Sequence, residues 1–76
     1  MRQKRVTHRQ TEVFNFMADF YERNDEIPPM WAIAKHFGWA SANAAMQHVD
    51  ALFRHGLLER NEIGNWRFAR KLKEAA

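Results

Sequence analysis

The chain has 76 residues, a formal net charge of +3, a pI near 9.8 and no cysteine, and 46% of its residues are hydrophobic. This composition indicates one folded domain and excludes a disordered chain, a disulfide framework and a thiolate metal site. No apolar run approaches the roughly 18 residues of a membrane span, and the basic start lacks the apolar segment of a signal peptide. We therefore expect a cytoplasmic protein without a membrane partner.

Basic residues are concentrated at the two ends of the chain, where we expect a basic arm over residues 1–6 and a short tail over residues 71–76. An acidic patch lies between these ends. This layout predicts a cationic side that faces a polyanion and an acidic side that is turned away from it. Alternatively, the basic ends are only solvated tails. The acidic patch consists of Asp19, Glu22, Asp25 and Glu26.

The first predicted helix begins after Thr7. Thr7 and Gln10 match a capping box, in which each side chain hydrogen-bonds the backbone N–H of the other residue. We expect the helix to end near residues 23–25, before two prolines that favour a linker or a short edge strand. Apolar residues at helical spacing predict its buried stripe. The stripe comprises Val13, Phe16, Met17, Phe20 and Tyr21.

A second helix is predicted over residues 30–37 and a third over residues 41–55. Gly38 lies in the turn between them, and a glycine in this connection is typical of helix-turn-helix units. Ser41 is of a residue type that caps helix N-termini, and Gly56 is expected to end the third helix in a left-handed conformation.

The third helix has one apolar and one polar face when its residues are spaced by 100°. The apolar face, which we expect in the core, consists of Ala45, Val49, Leu52 and Phe53. The polar face consists of Asn43, Gln47, Asp50 and Arg54, with Ala44 and Ala51 at its flanks and Met46 at its boundary.

The last part of the chain is predicted to form a β-hairpin. Apolar and polar residues alternate within residues 57–61 and 65–70, and the segment between them contains Gly64. The order of elements then predicts a mainly α fold with a small β-hairpin, a three-helix winged helix-turn-helix over residues 7–70.

Two segments of the sequence resemble the DNA-binding domain of the LexA repressor family. They are T-H-R-Q-T-E-V-F at 7–14 and S-A-N-A-A-M-Q-H at 41–48, and the second is flanked by Gly38 and Gly56. The resemblance extends over about residues 6–70 and implies a winged helix-turn-helix whose third helix enters the major groove of DNA. It also implies that the wing and the end of the third helix contact the DNA backbone. The positions that face the bases in this family correspond to Ser41, Asn43, Ala44, Met46 and Gln47.

The chain departs from the family at two of these positions. Where the family typically carries two adjacent glutamates, this chain has Met46 and Gln47. Asparagine and glutamine side chains can each donate to and accept from an adenine edge, and a small residue such as Ala44 can contact a thymine methyl group. We therefore expect an operator that differs from the family's usual one.

Cationic side chains are the candidates for contacts to the DNA backbone or the adjacent minor groove. We expect Asp50 to form an exposed ion pair with Arg54 four residues later. His48 and His55 lack an evident third metal ligand, and we expect His48 to pack and form a hydrogen bond at the helix edge. The candidates for backbone or wing contacts are Arg9, Arg54, Arg60 and Arg67.

These features predict a sequence-specific regulator of transcription, a repressor that binds double-stranded DNA as a homodimer on a palindromic operator. We expect no catalytic residue, metal, cofactor or small-molecule ligand. The only serine, Ser41, lies at the groove-facing helix, so we also expect no self-cleavage by this chain. The alternative is a small protein-interaction module of the same fold that modulates a host regulator or polymerase, since tryptophan and methionine are enriched at interfaces.

Overall fold

A computed structural model of the chain describes residues 6–70. The predicted tail, and all of the predicted basic arm except Val6, lie outside the described residues. The elements in chain order are α1 (His8–Asn24), α2 (Met30–Phe37), α3 (Ala42–Arg54), β1 (Leu58–Arg60) and β2 (Trp66–Phe68). α3 contacts both other helices and β1, and the two strands pair in antiparallel orientation. The prediction of a three-helix winged helix-turn-helix is confirmed.

The N-terminus of α1 is fixed by the predicted capping box. Thr7 Oγ1 accepts from the backbone N–H of Gln10 at 3.1 Å, and Gln10 Oε1 accepts from the N–H of Thr7 at 2.9 Å. Val13 and Met17 are fully buried, but Tyr21 is 41% exposed. The prediction that Tyr21 lies in the buried stripe is therefore wrong. Its ring packs edge-on against Phe68 of the hairpin, at 5.5 Å between centroids, and stays partly in contact with solvent.

The turn between α2 and α3 holds the two helices of the helix-turn-helix in place. Gly38 has a φ of 74°, a left-handed conformation that favours glycine. The next N–H, of Trp39, donates to the carbonyl of Ala34 at 2.9 Å. The Trp39 ring stacks on Phe37 on one side and on His48 of α3 on the other, at 4.8 and 4.6 Å. Stacked aromatic rings therefore join the end of α2 to the middle of α3.

The core contains apolar residues from all three helices and β1. Phe53 is 42% exposed and packs on Trp66, at 5.4 Å between ring centroids. The prediction that Phe53 lies in the core is wrong, and Ala51, predicted at the flank of the polar face, is buried. The buried cluster consists of Val13, Met17, Ile33, Ala34, Ala45, Val49, Leu52 and Leu58.

The hairpin is shorter than the sequence predicts. Each strand has three residues, and the pairs are Leu58 with Phe68, Glu59 with Arg67, and Arg60 with Trp66. Asn61 ends β1 because its Oδ1 accepts from the N–H groups of Ile63 and Asn65, at 3.0 and 2.9 Å, and so closes the turn.

Residues 26–29, between α1 and α2, belong to no helix or strand, which is the linker alternative of the prediction. Pro28, within this connection, is fully buried. Within residues 6–70, no helix has both the length and the apolar character needed to cross a bilayer.

Candidate nucleic-acid interface

The exposed side of α3 carries most of the residues predicted to face bases. Ser41, Asn43, Met46 and Gln47 are exposed, and Ala44 is half-buried. Ser41 occupies the N-cap position in an extended conformation, but its side chain makes no capping hydrogen bond. Its hydroxyl group is therefore not used by the helix start, contrary to its predicted capping role.

Polar side chains form one continuous stripe along α3. Asn43, Gln47, Asp50 and Arg54 are separated by four, three and four positions, which places them on the same side of a helix. At about 1.5 Å of rise per residue, the stripe is about 16 Å long. A helix about 10–12 Å across fits a major groove about 12 Å wide. The stripe therefore has the size and the hydrogen-bonding groups of a surface that reads base edges.

Met46 lies beside this stripe, on the side of α3 that faces the hairpin. It lines a groove together with Tyr21, Pro29, Arg60 and Trp66. The structure therefore brings one predicted base-facing residue of α3 and both predicted wing residues, Arg60 and Arg67, to the same groove.

The opposite side of α3 is held by His48. Its Nδ1 lies 2.9 Å from the carbonyl oxygen of Ala44. Because a carbonyl oxygen only accepts, Nδ1 carries the proton in this hydrogen bond. With its stack on Trp39, this contact confirms that His48 packs and hydrogen-bonds at the helix edge. No three His, Cys, Asp or Glu side chains within residues 6–70 lie close enough together to hold a metal ion.

Two of the predicted backbone-contacting arginines lie on the helices. Arg9, in the first turn of α1, is half-exposed, and its Nε lies 3.5 Å from a carboxylate oxygen of Glu12. Arg54 pairs with Asp50, as predicted from their spacing, and most of the Arg54 side chain is exposed. Exposed pairs of this kind contribute about 0.3–0.5 kcal/mol. Both arginines can therefore exchange their carboxylate partner for a phosphate at little cost.

The hairpin arginines have very different surroundings. The guanidinium of Arg60 lies 3.8 Å from the ring centroid of Trp66, and its Nη1 donates to the carbonyl of Gly64 at 2.6 Å. In contrast, Arg67 and Arg70 donate through Nε to the same oxygen of Glu59, at 2.6 and 3.2 Å.

The sequence analysis missed Glu59 and Arg70. Alternation within the strands gives the faces of the hairpin but not its register, so the pairing of Glu59 with Arg67 could not be assigned.

The Arg67 guanidinium that donates to Glu59 lowers the pKa of this carboxyl below its usual value of 4.5, and Arg70 adds to the effect. Because the pKa is lower in the folded than in the unfolded chain, the ion pairs contribute stability above about pH 4.5. This contribution is lost as the pH falls through the lowered pKa.

We expect Glu59→Gln to unfold at a lower urea concentration than the wild type at neutral pH. The difference should shrink as the pH falls below about 4.5, because the unfolded wild-type chain then binds a proton at Glu59 that the folded ion pairs resist, whereas the glutamine of the variant binds none. Urea midpoints of the two proteins, followed by circular dichroism at several pH values, measure this difference. A gap of constant size from pH 7 to pH 3 would contradict the assigned ion pairs.

A family model described as LexA DNA binding domain matches residues 3–64. The chain is 39% identical over 54 residues to the LexA repressor of Thiobacillus denitrificans and 34% identical over 58 residues to that of Petrotoga mobilis. It is 39% identical over 59 residues to the LexA repressor of Actinobacillus pleuropneumoniae serotype 5b. These matches cover 71–78% of this chain but only 27–28% of each relative.

Proposed function

The chain belongs to the LexA DNA-binding domain family, and on this basis we propose that it is a sequence-specific regulator of transcription that binds double-stranded DNA. The observation that carries the proposal is the exposed stripe of α3, which begins with Asn43 and Gln47. Because the relatives are named LexA repressors, we further propose that this chain acts as a repressor.

In the proposed complex, α3 lies in the major groove. Asn43 and Gln47 each present a donor and an acceptor, which match the N6 and N7 groups of adenine. Ser41, at the start of the helix, has a hydroxyl group without a capping role that can bond to a base or a phosphate. Ala44 and Met46 supply apolar contacts on the two sides of the stripe, where thymine methyl groups project into the groove.

Cationic side chains around α3 hold the domain on the DNA backbone. Arg9 is exposed at the start of α1 and Arg54 at the end of α3, and their carboxylate partners are half-exposed. Arg60 and Arg67 place positive charge from the hairpin near the flanking minor groove or its phosphates. Contacts of this kind set affinity and orientation but carry no sequence information directly.

We propose that two copies bind one palindromic operator. One recognition helix reads only a half-site, and each mismatch in a site typically costs about 1–3 kcal/mol, so a single copy has limited discrimination. Two copies related by two-fold symmetry would read half-sites about 10 base pairs apart, centre to centre, or a multiple of that distance.

A salt titration tests DNA binding. If Arg9, Arg54 and Arg60 each neutralise one phosphate, the slope of log K against log salt should be about −2.5 to −3 per copy. Fluorescence anisotropy of a labelled duplex between about 50 and 200 mM salt gives this slope. Absence of duplex binding at the lowest salt, or an affinity that does not change with salt, would contradict the proposal.

The protein-interaction alternative has weaker support. Trp39 is stacked between Phe37 and His48, and Trp66 lies under Arg60, so both have intramolecular packing roles. Of the three tryptophans, only Trp31, on α2, is exposed, at 64%. Failure to bind duplex DNA at low salt would favour this alternative.

A further inference from the structure

The three hairpin arginines do not have equal access to a polyanion. We propose that Arg60 is the phosphate-binding residue of the hairpin and that Glu59 withholds Arg67 and Arg70 from DNA. This inference rests on the proposed DNA-binding function and specifies which charges of the wing take part in it.

Arg60 is held in place without being neutralised. No ion pair within residues 6–70 includes it. Its guanidinium lies over the Trp66 ring, and one of its five N–H groups is used by the Gly64 carbonyl. Four N–H groups and the full charge remain for a phosphate. Because stacking already restricts this side chain, binding loses less conformational entropy than it would for a free arginine.

Arg67 and Arg70 share one carboxylate. Two cations and one anion give this cluster a net charge of +1, half of what two free arginines would offer. Arg67 is also only 37% exposed, and its Nε donates to Glu59 at 2.6 Å. A phosphate that binds Arg67 must compete with this charge-assisted hydrogen bond, so the exchange yields little net binding energy. The Glu59 charge also repels an approaching phosphate.

The strand register places Arg60 and the Glu59–Arg67 pair on opposite faces of the hairpin. Side chains of successive residues in a strand point to opposite faces. Arg60 and Trp66 are paired across the strands, and they lie on the same face as the buried Leu58. Glu59 and Arg67 are paired on the other face.

Although Arg60 and Arg67 lie on different faces of the hairpin, proximity to the groove does not distinguish the arginines, because Arg67 and Arg70 also line the groove that contains Arg60 and Met46. The difference lies in their partners. Arg60 is supported by an uncharged ring and a carbonyl, whereas the other two are compensated by a carboxylate.

Single substitutions that remove or release these charges test the proposal. Arg60→Ala should make the salt slope less negative by about 0.9 and weaken duplex binding by about 5- to 10-fold at 0.1 M salt. Arg67→Ala should have a clearly smaller effect on both quantities. Glu59→Gln should strengthen binding by about 3- to 10-fold and make the slope steeper, because a glutamine keeps an acceptor oxygen for Arg67 but removes the charge.

Glu62→Gln is the matched control. It removes the same charge from the exposed turn of the same hairpin, but Glu62 takes part in no ion pair within the described residues. It should therefore increase affinity less than Glu59→Gln. Circular dichroism at the binding temperature checks that each variant is folded, and Arg60→Gln replaces the alanine variant if that one is not.

Two results would overturn the inference while duplex binding by the wild type remains salt-dependent. One is an effect of Arg67→Ala on the slope as large as that of Arg60→Ala. The other is a Glu59→Gln affinity that is no higher than that of Glu62→Gln. If the wild type itself does not bind duplex DNA, the proposed function fails first, and this inference fails with it.

Discussion

Replacement of Leu52 by alanine is expected to lower the free energy of unfolding by about 2–5 kcal/mol. Leu52 is fully buried in the cluster that joins α3 to the other helices and β1. The substitution removes three heavy atoms from a close-packed site and leaves a cavity that its neighbours fill only in part. For a domain of this size, the loss should lower the melting temperature by about 8–40 °C.

Phe53→Ala is the matched control for this core substitution. Phe53 is adjacent to Leu52 on α3 but is 42% exposed and packs on Trp66. Although phenylalanine is larger, its truncation should cost less than that of Leu52, because much of the ring is already in water. Urea unfolding followed by circular dichroism compares the two variants. A larger loss for Phe53→Ala would place Phe53 in the core and contradict the orientation of α3.

Conversion of both Asn43 and Gln47 to alanine is expected to have the largest effect on function. Each bidentate contact to a base discriminates by about 1–3 kcal/mol, which corresponds to about 5- to 150-fold in affinity. The double variant should therefore lose most of its preference for the operator over a scrambled duplex. Binding to the scrambled duplex should change little, because phosphate contacts do not depend on sequence.

Asn15→Ala controls for the loss of an amide group as such. Asn15 is exposed on α1, outside the candidate interface. It should leave both affinities unchanged, as measured by competition anisotropy with operator and scrambled duplexes. Equal discrimination by the wild type and the Asn43→Ala/Gln47→Ala variant would show that the α3 stripe does not read the bases.

The elements of this fold were predictable because their signals are local. Thr7 and Gln10 form the capping box that their spacing indicates, and Gly56 has the left-handed conformation predicted at the end of α3. The apolar arc of α3 was correct at Ala45, Val49 and Leu52. These features depend on residues a few positions apart.

The wrong predictions concern side chains whose burial depends on neighbouring elements of the fold. Angular spacing places Phe53 near the core arc of α3, but only the hairpin shows that its ring packs on Trp66. In the same way, Ala51 is buried because other elements cover the side of α3 that carries it. The apolar pattern of one helix does not show which edge of its apolar face a neighbouring element will cover.

In the candidate site, too, features set by local spacing were predictable and features set by contacts between elements were not. The residues of the α3 stripe follow from helical spacing alone, and so does the pair of Asp50 with Arg54. The Glu59 cluster depends on the register of two strands, which the Asn61 turn fixes. The sequence could therefore only nominate Arg60 and Arg67 as equivalent, whereas among residues 6–70 Arg67 has a carboxylate partner and Arg60 has none.

Selection of bound sequences from a random duplex pool tests most directly whether α3 reads DNA. We expect the wild type to enrich a two-fold symmetric motif with A·T pairs at positions that Asn43 and Gln47 read, and the double alanine variant to lose enrichment at those positions. If the wild type enriches no motif, or both proteins enrich the same motif, sequence recognition by α3 is wrong.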